Sequence, residues 1–182
     1  MKIIVAITGA SGAIYARQCL ENLIAHPAVE RVALILSDNA EGVLRAEGVT
    51  LPASERVERF SNDDMWASVA SGSARWDAMI IIPASMGTVG RIASGISRTL
   101  IERAADVMLK ERRRLVVVVR ESPYSLIHLR NMTTLTEAGA IILPASPSFY
   151  FNPATVEELC LTTSLRALEM AGVEVDHRHW GE

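Results

Sequence analysis

Apolar residues along this chain fall in short unbroken runs separated by helix-period stretches, an order that predicts alternating strands and helices. The run at 3–8 shows no polar alternation, the pattern of a strand covered on both faces. Runs at 31–36, 78–82, 115–119 and 140–143 predict four more strands. Helical periodicity covers 12–25, 39–47, 87–94, 99–112, 124–138 and 155–171. Between them, residues 50–77 are polar, with Pro52, Asn62-Asp63-Asp64 and Ser71-Gly72-Ser73, and read as a long connection holding one short helix. Connections of that length are where function concentrates. The repeated β-α-β order predicts an α/β fold with a parallel sheet between helical layers. With neither repeat nor linker, the 182 residues read as a single domain, 1–182.

Open α/β sheets bind ligands beyond the carboxyl ends of their strands. Four such ends carry unusual chemistry: Thr8-Gly9-Ala10-Ser11-Gly12, Ser37-Asp38-Asn39, Ser85-Met86-Gly87-Thr88 and Arg120-Glu121. Gly9, Ser11 and Gly12 permit a tight turn that brings backbone N–H groups and a helix N-terminus against an anion, with phosphate the natural guest. The spacing is not GxGxxG, and the second strand ends at Leu36-Ser37 without an acidic residue, so NAD is disfavoured. Helix capping is the competing use of Ser11, Ser37 and Ser85.

Arg120 follows four valines, and a charge at the mouth of a buried strand needs a partner. Glu121 is adjacent but faces the other way along a strand. Either a ligand or a structural ion pair to a helix would satisfy the arginine. Arg103 and Lys110, seven apart, share a helix face, as a basic stripe or as part of a site. Tyr150, between two phenylalanines, and Arg166 are weaker candidates.

A net charge of −3 and a balanced composition argue against a nucleic-acid binder. Lys2 and Lys110 are the only lysines, so 16 of the 18 basic residues are Arg, the better fork for phosphate. Cys19 and Cys160 read as core thiols, and the four histidines show no ligand spacing, so no metal site is expected. The absence of an 18-residue apolar run or a leader-like N-terminus predicts a cytoplasmic protein without membrane attachment.

Segments ITGASGAIYA (7–16), PASMGT (83–88), LIERAADVMLKERRRLVVVVRESP (100–123), IHLRNM (127–132), GAIILPASPSFY (139–150) and HWGE (179–182) resemble the UbiX-type flavin prenyltransferases. That resemblance implies a Rossmann-like, flavodoxin-related fold and a homododecamer with active sites between subunits. It also implies transfer of a dimethylallyl group from dimethylallyl monophosphate to N5 and C6 of reduced FMN. The prenylated FMN would serve a UbiD-type decarboxylase. By motif, Gly9, Ala10, Ser11, Ser37, Ser85, Met86, Gly87, Thr88 and Arg120 resemble FMN contacts. Tyr150 and Arg166 resemble prenyl-phosphate contacts, with Arg103 and Lys110 completing a cationic pocket. Ser11, Glu47, Glu121 and Lys110 resemble the catalytic set, with Glu121 ahead of Glu47 for proton transfer. The chain departs from the family pattern at Ala84, Ser122, Ser97-Arg98-Thr99 and His179. A flavin-dependent cysteine decarboxylase and a non-catalytic FMN-binding module are the alternatives; the first lacks its expected histidine between His26 and His128.

Overall fold

The computed structural model describes residues 1–176 and 181, so the departure at His179 and, apart from Gly181, the HWGE segment lie outside the described residues. Strands β1 (Lys2–Ile7), β2 (Arg31–Leu36), β3 (Val57–Phe60), β4 (Ala78–Ala84), β5 (Arg114–Val119) and β6 (Ile141–Pro144) form one parallel sheet, in the order β3-β2-β1-β4-β5-β6. Between and after them run α1 (Ala13–Ala25), α2 (Ala40–Ala46), α3 (Met86–Ala93), α4 (Leu100–Lys110), α5 (Leu126–Glu137) and α6 (Val156–Ala171). This strand order is that of a Rossmann sheet, and without the short β3 it becomes the 2-1-3-4-5 order of flavodoxin-like folds.

Strand periodicity divides the core in two. Ile3, Val5, Ile7, Leu34, Ile80 and Val116 face α1, α2 and α6. Ile4, Ala6, Ile35, Met79, Ile81 and Val117 face α3, α4, α5 and the segment 67–76. Both faces are covered, which is why the strands read as unbroken apolar runs; each fully buried aliphatic side chain contributes about 1.5–3 kcal/mol.

The connection at 50–77 differs from its expected form. It contains strand β3 and two 3-10 turns, Ser68–Ala70 and Gly72–Ala74, rather than one short helix. β3 lies at the sheet edge with Glu58 and Arg59 exposed, and these pair with Arg31 of β2 and Glu41 of α2. Charged edges of this kind discourage strand addition, and they conceal a strand from apolar patterning. From β3 the chain returns beneath α4, burying Trp76 against the sheet with the Lys2 ammonium 5.6 Å from the ring centroid.

Candidate active site

The strand order reverses at β1, which has β2 on one side and β4 on the other. Thr8, just past β1, fastens this point: its buried hydroxyl donates to the Pro83 carbonyl (2.8 Å) and accepts from the Ser85 N–H (2.8 Å). Above it opens a polar crevice of about 630 Å³, lined by Gly9, Ser37, Asp38, Asn39, Asn62 and Asp63 on one side. Ser85, Gly87, Thr88, Arg91 and the start of α4 line the other. Gly9 is required here because a Cβ would lie 2.7 Å from that of Asn39.

The Ser85 hydroxyl in this crevice is not consumed by capping, whereas Thr99, at the start of α4, sits in a capping box with Glu102. Ser85 precedes α3 but makes no side-chain cap and instead meets the Thr88 hydroxyl at 3.2 Å. Asn39 before α2 and Gly12 before α1 also make no side-chain cap. By contrast, α5 and α6, away from the crevice, are capped by Ser125 (3.2 Å from the His128 N–H) and Thr155 (3.1 Å from the Glu158 N–H). The start of α3 beside the crevice therefore keeps hydroxyl and N–H groups that suit a phosphate and a polar ring.

One expected anion position is already filled. The N-terminus of α1 is closed by the chain's own Glu47, which accepts from Gly12 N–H (2.9 and 3.1 Å) and Ala13 N–H (2.7 Å). Burial works against the charged carboxyl. The Gly12 N–H, the Ser11 hydroxyl, the Ala13 N–H and the field of Arg120 outweigh it and lower the pKa of Glu47. At neutral pH Glu47 is thus an ionised acceptor that fixes Ser11, rather than a proton donor. Arg120 lies on this α1 side of the sheet, and its charge also reaches Tyr15. Tyr15 is nevertheless pushed up to about 12, first by burial and then by Cys160. Among the described residues Arg120 makes no ion pair, and its charge acts on Glu47 and Tyr15. The half-buried Glu121 accepts from the Ser122 N–H at 3.0 Å.

Two residues on the crevice wall escape motif reading. Arg91 Nε pairs with Glu102, a carboxylate only 1% exposed, and Arg91 Nη2 donates to the Thr88 hydroxyl at 3.3 Å. The other Glu102 oxygen accepts from Arg98 N–H (2.8 Å) and Thr99 N–H (2.9 Å). Thr99 followed three residues later by Glu102 is a capping-box signature, the one sequence signal for this cluster. Asn62 docks α4 from beneath, its side-chain oxygen accepting from Ile101 N–H at 3.1 Å.

Of the resemblance-based flavin set, Gly9, Ser37, Ser85, Gly87 and Thr88 meet in the crevice. Ala10 is buried in the β1–α1 turn, Ser11 joins Glu47 and Arg120, and Met86 faces the gap between α3 and α5. The cations on α4 do not join them: Arg103 binds the Ala70 carbonyl (3.0 Å) and Asp106 (2.7 Å), and Lys110 pairs with Glu111 at the far end of the helix. Arg166 borders a second, mostly apolar cavity of about 510 Å³ between α6 and the loop after β6, shared with Leu143, Phe151, Leu161 and Leu165. Tyr150 stands on that loop, 75% exposed.

A flavin-sized polar crevice at the switch point of a parallel sheet defines a flavoprotein, and the family model for flavoproteins matches residues 1–169. The flavin prenyltransferase UbiX of Thermoplasma acidophilum is 45% identical over 97% of both chains. The crystal structure of AnUbiX in complex with FMN and dimethylallyl pyrophosphate superposes with a TM-score of 0.88 at 40% identity, covering 98% of each chain. A dodecameric FMN-dependent UbiX-like decarboxylase of Escherichia coli O157:H7 superposes at 0.91 with 39% identity over the full length of both. The chain belongs to the flavoprotein family and, within it, to the UbiX-type flavin prenyltransferases.

Proposed function

We infer that this protein transfers a dimethylallyl group from dimethylallyl monophosphate to reduced FMN, making prenylated FMN for a UbiD-type decarboxylase. The carrying observation is the crevice at β1 and β4, whose helix starts leave Ser85 and Thr88 uncommitted to capping while helices elsewhere are capped. Gly9, Ala10, Ser11, Ser37, Ser85, Met86, Gly87, Thr88 and Arg120 would hold the flavin. Reduced FMN, when bound, supplies the electron-rich ring that accepts the allylic carbon.

The chain's own residues manage charge and protons. Departure of the allylic phosphate concentrates negative charge on its oxygens, and cations fixed beforehand lower that barrier. Arg103, Lys110 and Arg166 are suited to this, with Tyr150 as a further phosphate contact. Glu121, at the mouth of β5, is suited to move the proton released at the acceptor ring. Glu47 holds Ser11 in place, since its carboxyl is already committed to three donors.

Arg103 and Lys110 sit on α4 away from the crevice of their own chain. The site therefore assembles between subunits of a homo-oligomer, a dodecamer by analogy with the Escherichia coli relative. Exposed Leu126, Ile127 and Leu129 on α5 and Trp66 at 98% exposure supply apolar surface for such contacts. Among the described residues no helix is long and apolar enough to cross a membrane. The buried free thiols of Cys19 and Cys160 suit a reducing cytoplasm. The reading is tested by rescue: the flavin product should restore activity to a cofactor-free UbiD-type decarboxylase. A decarboxylase left inactive, but rescued by authentic prenylated FMN, would overturn it.

A further inference from the structure

Alternate carbonyls of the segment beneath α4 accept hydrogen bonds from three cations. Ala70 takes Arg103 Nε at 3.0 Å, Gly72 takes Arg113 Nη2 at 2.9 Å, and Ala74 takes Lys2 Nζ at 2.6 Å. Both cations of α4 are held from this side. Arg103 is fixed between the Ala70 carbonyl and Asp106, the latter at 2.7 Å. Lys110, two turns further along, pairs with Glu111, the residue at the C-terminal cap of the helix.

Glu111 is seated rather than loose. One oxygen takes the Lys110 ammonium, and the other lies 3.5 Å from Arg113 Nη2. The carboxyl is pressed onto Gly72, where a Cβ would fall 2.4 Å from Oε1 and 2.5 Å from the carboxyl carbon. Arg113, its side chain 21% exposed, closes the arrangement by bonding the Gly72 carbonyl. Lys110, and to a smaller extent Arg113, hold the Glu111 carboxyl below the usual carboxylate range, so it is ionised at neutral pH. The glycine of the Ser71-Gly72-Ser73 turn, which has no part in the crevice, thus serves as the seat of this carboxylate.

A surface ion pair contributes little when two long side chains must both lose rotamer freedom to form it. Here Gly72 and Arg113 already fix the carboxylate, so Lys110 is the flexible member. Its ammonium has three donors, and Glu111 occupies one. A lysine ordered beforehand, with two donors left, binds an anion at a lower ordering cost than a free one.

We propose that residues 70–74 preset the two α4 cations for the allylic phosphate, Arg103 through the Ala70 carbonyl and Lys110 through Glu111 seated on Gly72. The proposal rests on the reading of Arg103 and Lys110 as phosphate contacts and adds Glu111 as a positioning residue that acts through Lys110.

Titration with dimethylallyl monophosphate of protein loaded with oxidised FMN, which the reaction does not use, reads binding without turnover. Glu111→Gln should weaken that binding roughly 3- to 10-fold, the scale of ordering one long side chain, with FMN affinity unchanged. Gly72→Ala displaces Glu111 while keeping its charge and should weaken binding in the same direction. The two changes together should cost no more than the larger alone, and Glu111→Gln should have no further effect once Lys110→Ala is present. Native or tighter binding in either single variant overturns the proposal, because a carboxylate that only neutralised Lys110 would repel the phosphate. A Glu111→Gln effect that persists in full without Lys110 overturns it too, as does a parallel loss of FMN affinity in Glu111→Gln. Native binding in Lys110→Ala itself overturns the reading of that lysine as a phosphate contact.

Discussion

The Glu47 carboxylate lies 2.7 Å from the backbone nitrogen of Ala13, closing the first turn of α1 from the end of α2, 34 residues away in sequence. The same carboxylate holds Gly12, whose left-handed φ of 109° turns the chain from β1 into α1. A side chain from one helix thus shapes the start of another beside the crevice.

Glu47→Gln should consequently destabilise the fold by about 1 kcal/mol at neutral pH, the usual worth of a helix cap. The folded-state pKa of Glu47 is lowered, so this stabilisation is complete above the ordinary carboxylate pKa of about 4.3. It is lost as pH falls through the depressed folded value. Urea unfolding of both proteins should show the gap at pH 7 and its closing in acid. A gap independent of pH would refute the ionised cap.

Thr8 offers a second stability test. Its hydroxyl both donates and accepts across the β1–β4 junction. Thr8→Val keeps the shape and leaves the Ser85 N–H without its acceptor, while the Pro83 carbonyl keeps the backbone N–H of residue 8 (3.2 Å); the loss should cost about 1–3 kcal/mol. FMN affinity should fall as well, because Ser85 borders the crevice. Unfolding and flavin titrations read the two effects, and a stable variant with native FMN affinity would show the tie to be dispensable.

Subunit-shared sites make a sharper statement. Lys110→Ala and Arg120→Ala should each be nearly inactive, since one removes an α4 cation and the other a residue on the α1 side of the sheet. Mixed oligomers of the two variants should regain activity, because some sites then combine native Lys110 from one subunit with native Arg120 from another. Mixed oligomers as inactive as the parents would place the complete site within a single chain. Light scattering should independently give a mass many times the 19.8 kDa of one chain.

Glu121→Gln should leave FMN binding intact and lower turnover by roughly 100-fold or more, the usual contribution of one general acid–base group. Gln keeps the volume and the acceptor for the Ser122 N–H while removing the titrating proton. Turnover unchanged from the native protein would make Glu121 structural.

Five of the strands were legible because a sheet covered on both faces leaves uninterrupted apolar runs such as Leu115 to Val119. β3 was not, because Glu58 and Arg59 face outward on an edge and mimic a polar loop. The crevice was legible at its strand ends, since parallel topology must bring residues 8–12, 37–39, 85–88 and 120–121 to one edge. The contact of Glu47 with the start of α1 and that of Glu102 with Arg91 were hidden for a different reason. Glu47 meets its partners, and Glu102 meets Arg91, through packing of separate elements, which no local spacing records. The placement of Arg103 against Ala70 likewise depends on the return of residues 67–76 beneath α4.

The most direct test of the account is anaerobic incubation of the purified protein with reduced FMN and dimethylallyl monophosphate, followed by mass analysis of the released flavin. FMN should gain one dimethylallyl unit, with phosphate released in equal amount and no product without enzyme. Unmodified FMN recovered together with intact dimethylallyl monophosphate, from protein shown to bind both, would contradict it.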